Sequence, residues 1–357
     1  MVGTEYLVVL VGADGHMRCQ ISITTELLKV ISNFQVSFAV IDAQHRRFKI
    51  GLENLVDRAD AVAGITEDSV SWRHDAKSDT KANLNGWESE SKSNESLVNS
   101  NFMMSDNLVG VLETRLDTVL SWSFLWHEVI SAHAIGNEAR RKFVEREVHV
   151  LRTYTPKMVC NADLATPAVL SLTNPVLVPW RVKEFLESQL ATQVLQDGSH
   201  LAAILVHSGG VRTLDDSARA IAQLLQTHGD LVDTDLEDDS MCFDHQDMTW
   251  QKLGVVIYHP GVGTATECVK RGIPIDLIHD QTNVEAELVA AKLKRLEFAH
   301  EHEFAKNDLK FPSLAADLLR SEKRVSLLEP FASLKTTGVH DSVNFLTKLW
   351  ELEIIPQ

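Results

Sequence analysis

Residues 258–283 read Tyr-His-Pro-Gly-Val-Gly-Thr-Ala-Thr-Glu-Cys-Val-Lys-Arg-Gly-Ile-Pro-Ile-Asp-Leu-Ile-His-Asp-Gln-Thr-Asn. The apolar run before them, ending at Tyr258, predicts a buried strand. Gly261 and Gly263 then let the backbone approach a ligand closely. Thr264 is expected to open a helix. The unpaired N–H groups and positive dipole end of such a helix suit a diphosphate. His259 falls at the carboxyl end of the strand, the edge at which open α/β sheets bind ligands. Glu267, one turn into the helix, can accept hydrogen bonds from two vicinal hydroxyls such as a ribose offers. Thr264-x-x-Glu267 is also a capping box, in which the carboxylate would only satisfy a backbone N–H. With the flanking glycines in register, ligand contact is the favoured reading. Gly272-Ile273-Pro274 reads as a helix stop before the next strand. Asp280 and Gln281 occupy the following strand-end loop and can hold sugar hydroxyls, while Asn283 reads as a helix cap.

Outward from this block, the second half of the chain repeats one grammar. Residues 201–206 predict a strand, Ser208-Gly209-Gly210 a glycine loop, and residues 216–228 a helix. Residues 284–296 predict a further helix. The first half opens in the same way. Residues 7–11 predict a buried strand, and residues 12–16 a loop ending in Gly15-His16. Met17, Ile21, Thr24, Leu28 and Ile31 then mark one helical stripe. A buried strand, glycine loop, helix and strand make a β-α-β unit of a parallel sheet. The expected domains are 1–180, with a polar insertion at 66–107, and 198–335. A helix near the C-terminus, in 338–357, is expected to pack back on the body. Residues 108–152 read as mostly helical, and Met158-Val-Cys, Val169-Leu and 175–179 as short strands. Trp122, Phe124, Leu125 and Trp126 read as core.

The chain has 357 residues, more than one core usually serves, and its 44% hydrophobic content can fill two. A net charge of −16 argues against a chain built to bind nucleic acid through a basic face. Residues 230–247 carry eight acids and no Lys or Arg, half of that charge, and read as a solvated face and not as a metal loop. Arg140, Arg141, Lys142 and Arg146 form a local basic face that leaves peripheral contact with a membrane or an anionic acceptor open. No apolar run is long enough for a transmembrane helix, and the first residues lack signal-peptide features. The four cysteines stand far apart, which suggests neither a disulfide framework nor a zinc site. A cytoplasmic setting is the expectation.

The block at 258–283 resembles the donor-binding signature of the GT-B-fold nucleotide-sugar glycosyltransferases, among them the UDP-glycosyltransferases of small molecules. His259, Gly261, Gly263, Thr264, Glu267, Gly272, Pro274, Asp280, Gln281 and Asn283 match its pattern. The resemblance implies an α/β, GT-B-like chain of two Rossmann-like domains with a cleft between them. It implies that His259 and the loop Gly261, Val262, Gly263, Thr264 hold the diphosphate. Glu267 would hold the ribose, and Asp280 and Gln281 the donor sugar. Ser208, Gly209 and Gly210 would touch phosphates. Gly15-His16 keeps part of the family's first glycine loop but has Cys19 where proline usually stands. His16 is thus the candidate general base or an acceptor contact, and Asp14 its orienter or a base itself. The implied partners are a UDP-sugar donor and an unknown acceptor, with no cofactor and no metal. A hydrolase or epimerase of the same fold, or a non-catalytic nucleotide-sugar binder, are the alternatives.

Overall fold

The computed structural model describes residues 5–10, 14–31, 34–39, 100–131, 136, 138–181, 203–207, 223, 232–234, 253–258, 260–271, 273, 275–277, 284–297, 299–301 and 334–352. The chain divides into two compact units, Met1–Lys183 with Thr337–Gln357, and Glu184–Thr336.

In the first unit the strands are β1 (Glu5–Leu10), β2 (Phe34–Ala39), β3 (Phe102–Ser105), β4 (Val119–Ser121), β5 (Lys157–Asn161) and β6 (Asn174–Val178). They form one sheet in the order β2-β1-β3-β4-β5-β6, parallel at every pair. Helix α1 (Asp14–Val30) lays Ile23 and Leu27 into the core beside Leu7, Val9, Val36 and Phe38. It begins at Asp14, so Asp14 and His16 stand in its first turn and not in the loop the sequence suggests. β3 lies inside the stretch read as a polar insertion; residues 40–99 lie outside the described residues. Its apolar signal is only Phe102-Met103-Met104, too short to stand out against polar flanks.

The supposedly helical stretch 108–152 holds a 3-10 turn (Val109–Glu113), strand β4, α2 (Trp126–Ser131) and α3 (Glu138–Tyr154). Trp122, Phe124, Leu125 and Trp126 are buried. Trp122–Phe124 and Phe124–Trp126 meet edge to face with ring centroids 6.3 and 5.4 Å apart. Each such pair contributes about 0.5–1.5 kcal/mol beyond its burial. Val169 and Leu170, read as a strand, belong to α4 (Pro167–Leu172). Thr166 caps that helix by accepting from the Val169 N–H, with Pro167 in its first turn. Arg141 and Lys142 pair with Glu138, Arg141 also with Glu145, and Arg146 with Glu113.

α2 and α3 share a buried pair. The Glu147 carboxylate accepts from the His127 backbone N–H and lies 3.2 Å from His127 Nδ1. Burial pushes the Glu147 carboxyl above its ordinary range, with the His127 ring and N–H opposing. A carboxyl whose folded pKa is raised costs stability once it must ionise in place. We expect Glu147→Gln to overtake the wild type in stability as pH rises from about 4.3, the unfolded value, through the folded one. Urea unfolding across that window checks it. A constant difference at all pH values refutes it.

The helix α7 (Gly338–Leu349) closes this unit, burying Val339, Val343 and Leu346 against the same core. The Gly338 N–H donates to the Trp180 carbonyl at 3.0 Å, and a Cβ on Gly338 would lie 2.1 Å from the Pro179 carbonyl oxygen. Only glycine fits this approach. Trp350, just past the helix, stacks on Phe102 at 4.9 Å.

The second unit holds β7 (Ala203–His207), β8 (Val232–Thr234), β9 (Leu253–Tyr258), β10 (Ile275–Leu277) and β11 (Ala299–Glu301). Their order is β11-β10-β9-β7-β8, again parallel throughout. β8 falls within the acidic run, which is therefore not all loop. Helices α5 (Val262–Arg271) and α6 (Val284–Arg295) follow β9 and β10, and bury Ala265, Cys268, Val269, Ala286, Val289, Ala290 and Leu293. No helix among the described residues is long and apolar enough to cross a membrane.

Candidate functional site

Both sheets reverse their winding once, and ligands of open α/β sheets bind outside the strand ends at that reversal. In the second unit the chain leaves β7 for β8 on one side and returns to β9 on the other. β7 and β9 run in register to the pair His207↔Tyr258. The carboxyl ends of β7 and β9, at His207 and Tyr258, thus lie side by side. Ser208, Gly209, Gly210, His259, Asp280 and Gln281 lie outside the described residues.

The turn after β9 is described. Gly261 supplies the carbonyl for the first helical bond, from the Ala265 N–H at 3.0 Å. The helix therefore opens at Val262, two residues earlier than the sequence suggests, and Gly263 and Thr264 lie in its first turn. Glycine is a poor helix former, and position 263 made a loop the natural reading. The consequence falls on Glu267. Thr264 is the third residue of α5, not its cap, so no Thr264–Glu267 capping box forms. The Glu267 carboxylate instead accepts, through Oε2, from Nη1 of Arg271 one turn later. The same Nη1 lies 3.3 Å from the Glu267 carbonyl oxygen. The Arg271 side chain is 2% exposed and that of Glu267 20%. A Glu four residues ahead of an Arg is the favourable orientation on a helix. Beyond it, the Ile273 N–H donates to the Cys268 carbonyl at 3.0 Å, a bond that closes helices ended by glycine. Burial pushes the Cys268 thiol far up, and Cys160 to about 11; both are inert core groups.

In the first unit the reversal falls between β1 and β3. Their last pair is Leu10↔Ser105. The chain beyond β1 enters α1 with Asp14 and His16, whose side chains lie outside the described residues. Beyond β3 come Asp106 and Asn107, both buried. Asn107 takes φ 43°, a left-handed conformation that asparagine tolerates better than most residues, and its Nδ2 donates to the Phe124 carbonyl at 3.0 Å. Asp106 and Arg181 both bear electrostatically on the Cys19 thiol, which burial pushes up. Cys19 stands three residues after His16 on α1, so both occupy one helix face. Arg181 donates from Nη1 to Ser121 Oγ at 3.0 Å and lies over the Trp122 ring. Gln20 Nε2 donates to the Ser121 carbonyl at 3.1 Å. A buried polar layer thus runs from α1 across the strand ends.

Asp106, Arg181 and Arg271 were not singled out from sequence. The signal for Asp106 was available: a polar pair directly after a short apolar run. Among the described residues no cluster of His, Cys, Asp or Glu is arranged to hold a metal ion.

No family model matches the chain. No curated protein matches it either. Solved structures do. UGT2 of Phytolacca americana, complexed with UDP-2fluoro-glucose and pterostilbene, superposes with a TM-score of 0.66 at 12% identity, covering 98% of this chain and 100% of its own. UGT89C1 of Arabidopsis thaliana, complexed with UDP-L-rhamnose, gives 0.60 at 13% identity over 98% and 100%. The Streptomyces sp. SF2575 glycosyltransferase SsfS6, complexed with thymidine diphosphate, gives 0.53 at 12% over 96% and 99%. The chain has the α/β fold of the GT-B nucleotide-sugar glycosyltransferases. Each of its two units is a parallel, Rossmann-like layer.

Proposed function

We propose that this protein is a glycosyltransferase that takes a sugar from a UDP-sugar and passes it to an acceptor hydroxyl. The observation that supports it best is the β7–β9 register, which sets the strand ends His207 and Tyr258 side by side, with α5 opening four residues after Tyr258. The amino end of α5 offers free N–H groups and a positive dipole to a diphosphate. His259 and residues 261–264 stabilise the departing charge, with Ser208, Gly209 and Gly210 beside them. Glu267 accepts from the ribose hydroxyls, and Asp280 and Gln281 hold the sugar. In the first unit His16 takes the proton of the acceptor hydroxyl, whose oxygen bonds to the anomeric carbon. The anomeric bond to the diphosphate breaks, and its electron pair leaves with the diphosphate. Asp106, a buried carboxylate at the same strand ends, is a better orienter for His16 than Asp14, which shares its helical turn. The reading needs no metal or cofactor.

The test is a thermal-shift panel of nucleoside diphosphates and their sugars. A ligand at 100 times its Kd stabilises by about 2.7 kcal/mol, and UDP compounds should head the ranking. The absence of a shift with every member overturns the reading. A product assay without acceptor separates transfer from hydrolysis, because only a hydrolase releases free sugar.

A further inference from the structure

We infer that Arg181 binds a carboxylate, and that the acceptor glycosylated by this protein is therefore a hydroxy acid. The second half rests on the reading of the first unit as the acceptor side of a transferase.

Arg181 follows β6, and its side chain reaches the carboxyl end of β4. There Nη1 donates to Ser121 Oγ at 3.0 Å, and the guanidinium lies 5.5 Å from the Trp122 ring centroid. The residue is only 5% exposed. A guanidinium keeps its charge at any ordinary pH, so burying one calls for an anion beside it. Among the described residues no carboxylate forms an ion pair with Arg181. Its neighbours Ser121 and Trp122 are neutral. Burial pushes up the thiols of Cys19 and Cys160, the two cysteines on which Arg181 acts, so both stay protonated. Asp106 acts on Cys19 from elsewhere and is not bonded to the guanidinium.

The remaining donors decide what anion fits. Nε and Nη2 make no hydrogen bond to the chain, and neither is sealed from the surface. Their N–H groups point the same way and form the planar fork that holds a carboxylate through two parallel bonds.

The position suits an acceptor. β4 adjoins β3, one of the two strands at the reversal, and ligands bind outside such carboxyl ends. Arg181 and Gln20 both grip Ser121, so the guanidinium lies by the second turn of α1. His16 stands about one turn earlier, on the face that carries Cys19. A turn rises about 5.4 Å, so an acid held by Arg181 presents a hydroxyl to His16 at roughly 5–10 Å from its carboxylate. 4-Hydroxybenzoate and 4-hydroxycinnamate have that reach.

An Arg181 that only tied β6 to β4 would cost stability when replaced, but it would not tell an acid from its amide. The experiment therefore measures Kd by titration calorimetry on the full chain, with 4-hydroxybenzoate, 4-hydroxycinnamate and the amide of each. At least one acid should bind the wild type ten-fold or more tighter than its amide, about 1.4 kcal/mol. Arg181→Gln should bring that ratio within about two-fold. Arg181→Lys, which keeps the charge and loses the fork, should fall between. Acids bound no better than their amides, an unchanged ratio in Arg181→Gln, or binding of none of the four overturns the inference. Should Arg181→Gln fail to fold, the wild-type and Arg181→Lys ratios still decide. The nucleotide panel keeps the two readings apart. Acid preference in a protein that binds no nucleoside diphosphate upholds the carboxylate site and sinks its acceptor role. Nucleotide binding without acid preference leaves the transferase standing and removes the carboxylate site.

Discussion

Glu267→Ala should weaken UDP binding roughly 10- to 100-fold and lower the stability of the protein at the same time. The two losses have different origins. A hydrogen bond to a charged group contributes about 1.5–3 kcal/mol, which gives the affinity range. The stability loss arises because the Glu267–Arg271 ion pair within α5 is lost while Arg271 stays buried. Breaking a buried pair costs about 3–5 kcal/mol when both partners are sealed; Glu267 is partly exposed and Arg271 has further interactions, so about 1–2 kcal/mol is the expectation. The double variant Glu267→Ala/Arg271→Met removes both partners. It should regain most of the stability and none of the affinity. Urea unfolding and UDP titration on the four members of the cycle measure both. If the double variant recovers UDP affinity along with stability, Glu267 is only structural and the ribose assignment is wrong.

His16→Ala should lower sugar transfer by about 10²–10⁴-fold while UDP affinity stays within about two-fold, because a general base acts on the acceptor proton and not on the donor. The assay uses the nucleotide sugar that stabilises the protein most, with a hydroxyl-bearing acceptor panel. Asp106→Asn should reduce the same rate. Adding it to His16→Ala should cost little more, since an orienter has nothing to orient once the base is gone. Full turnover by His16→Ala removes it from the mechanism. If the double variant is slower by the product of the single effects, Asp106 acts by another route.

Much of the second unit was readable directly. The strand ending at Tyr258, the helix after it and the strand that follows appear within a residue or two of where apolar periodicity and glycine place them. Their signals are local: a buried strand is a continuous apolar run, and a helix repeats at 3.6 residues. The first unit was less legible. β3 hides in three apolar residues after a long polar stretch, and α4 hides as an apolar pair. In short segments the period cannot separate strand from helix, and pairing partners or a cap decide. Thr166, whose hydroxyl accepts from the Val169 N–H, was the overlooked sign for α4.

The candidate site divides along the same line. The sequence by itself determined the chemistry on offer: a glycine turn ahead of a helix, a carboxylate one turn in, a histidine near the first strand. What this carboxylate bonds to was decided only in three dimensions. Thr264 and Arg271 compete for Glu267 at spacings of three and four. The helix opening at Val262 settles the contest, because it carries Thr264 past the cap position and leaves Arg271 one turn ahead on the same face. Strand order was equally invisible in the sequence. Placing β3 beside β1 pairs residues 95 positions apart, such as Leu7 and Phe102, and placing β9 beside β7 pairs residues 50 or 51 apart. Pairing between distant strands depends on which hydrophobic faces bury one another, and no local pattern encodes that.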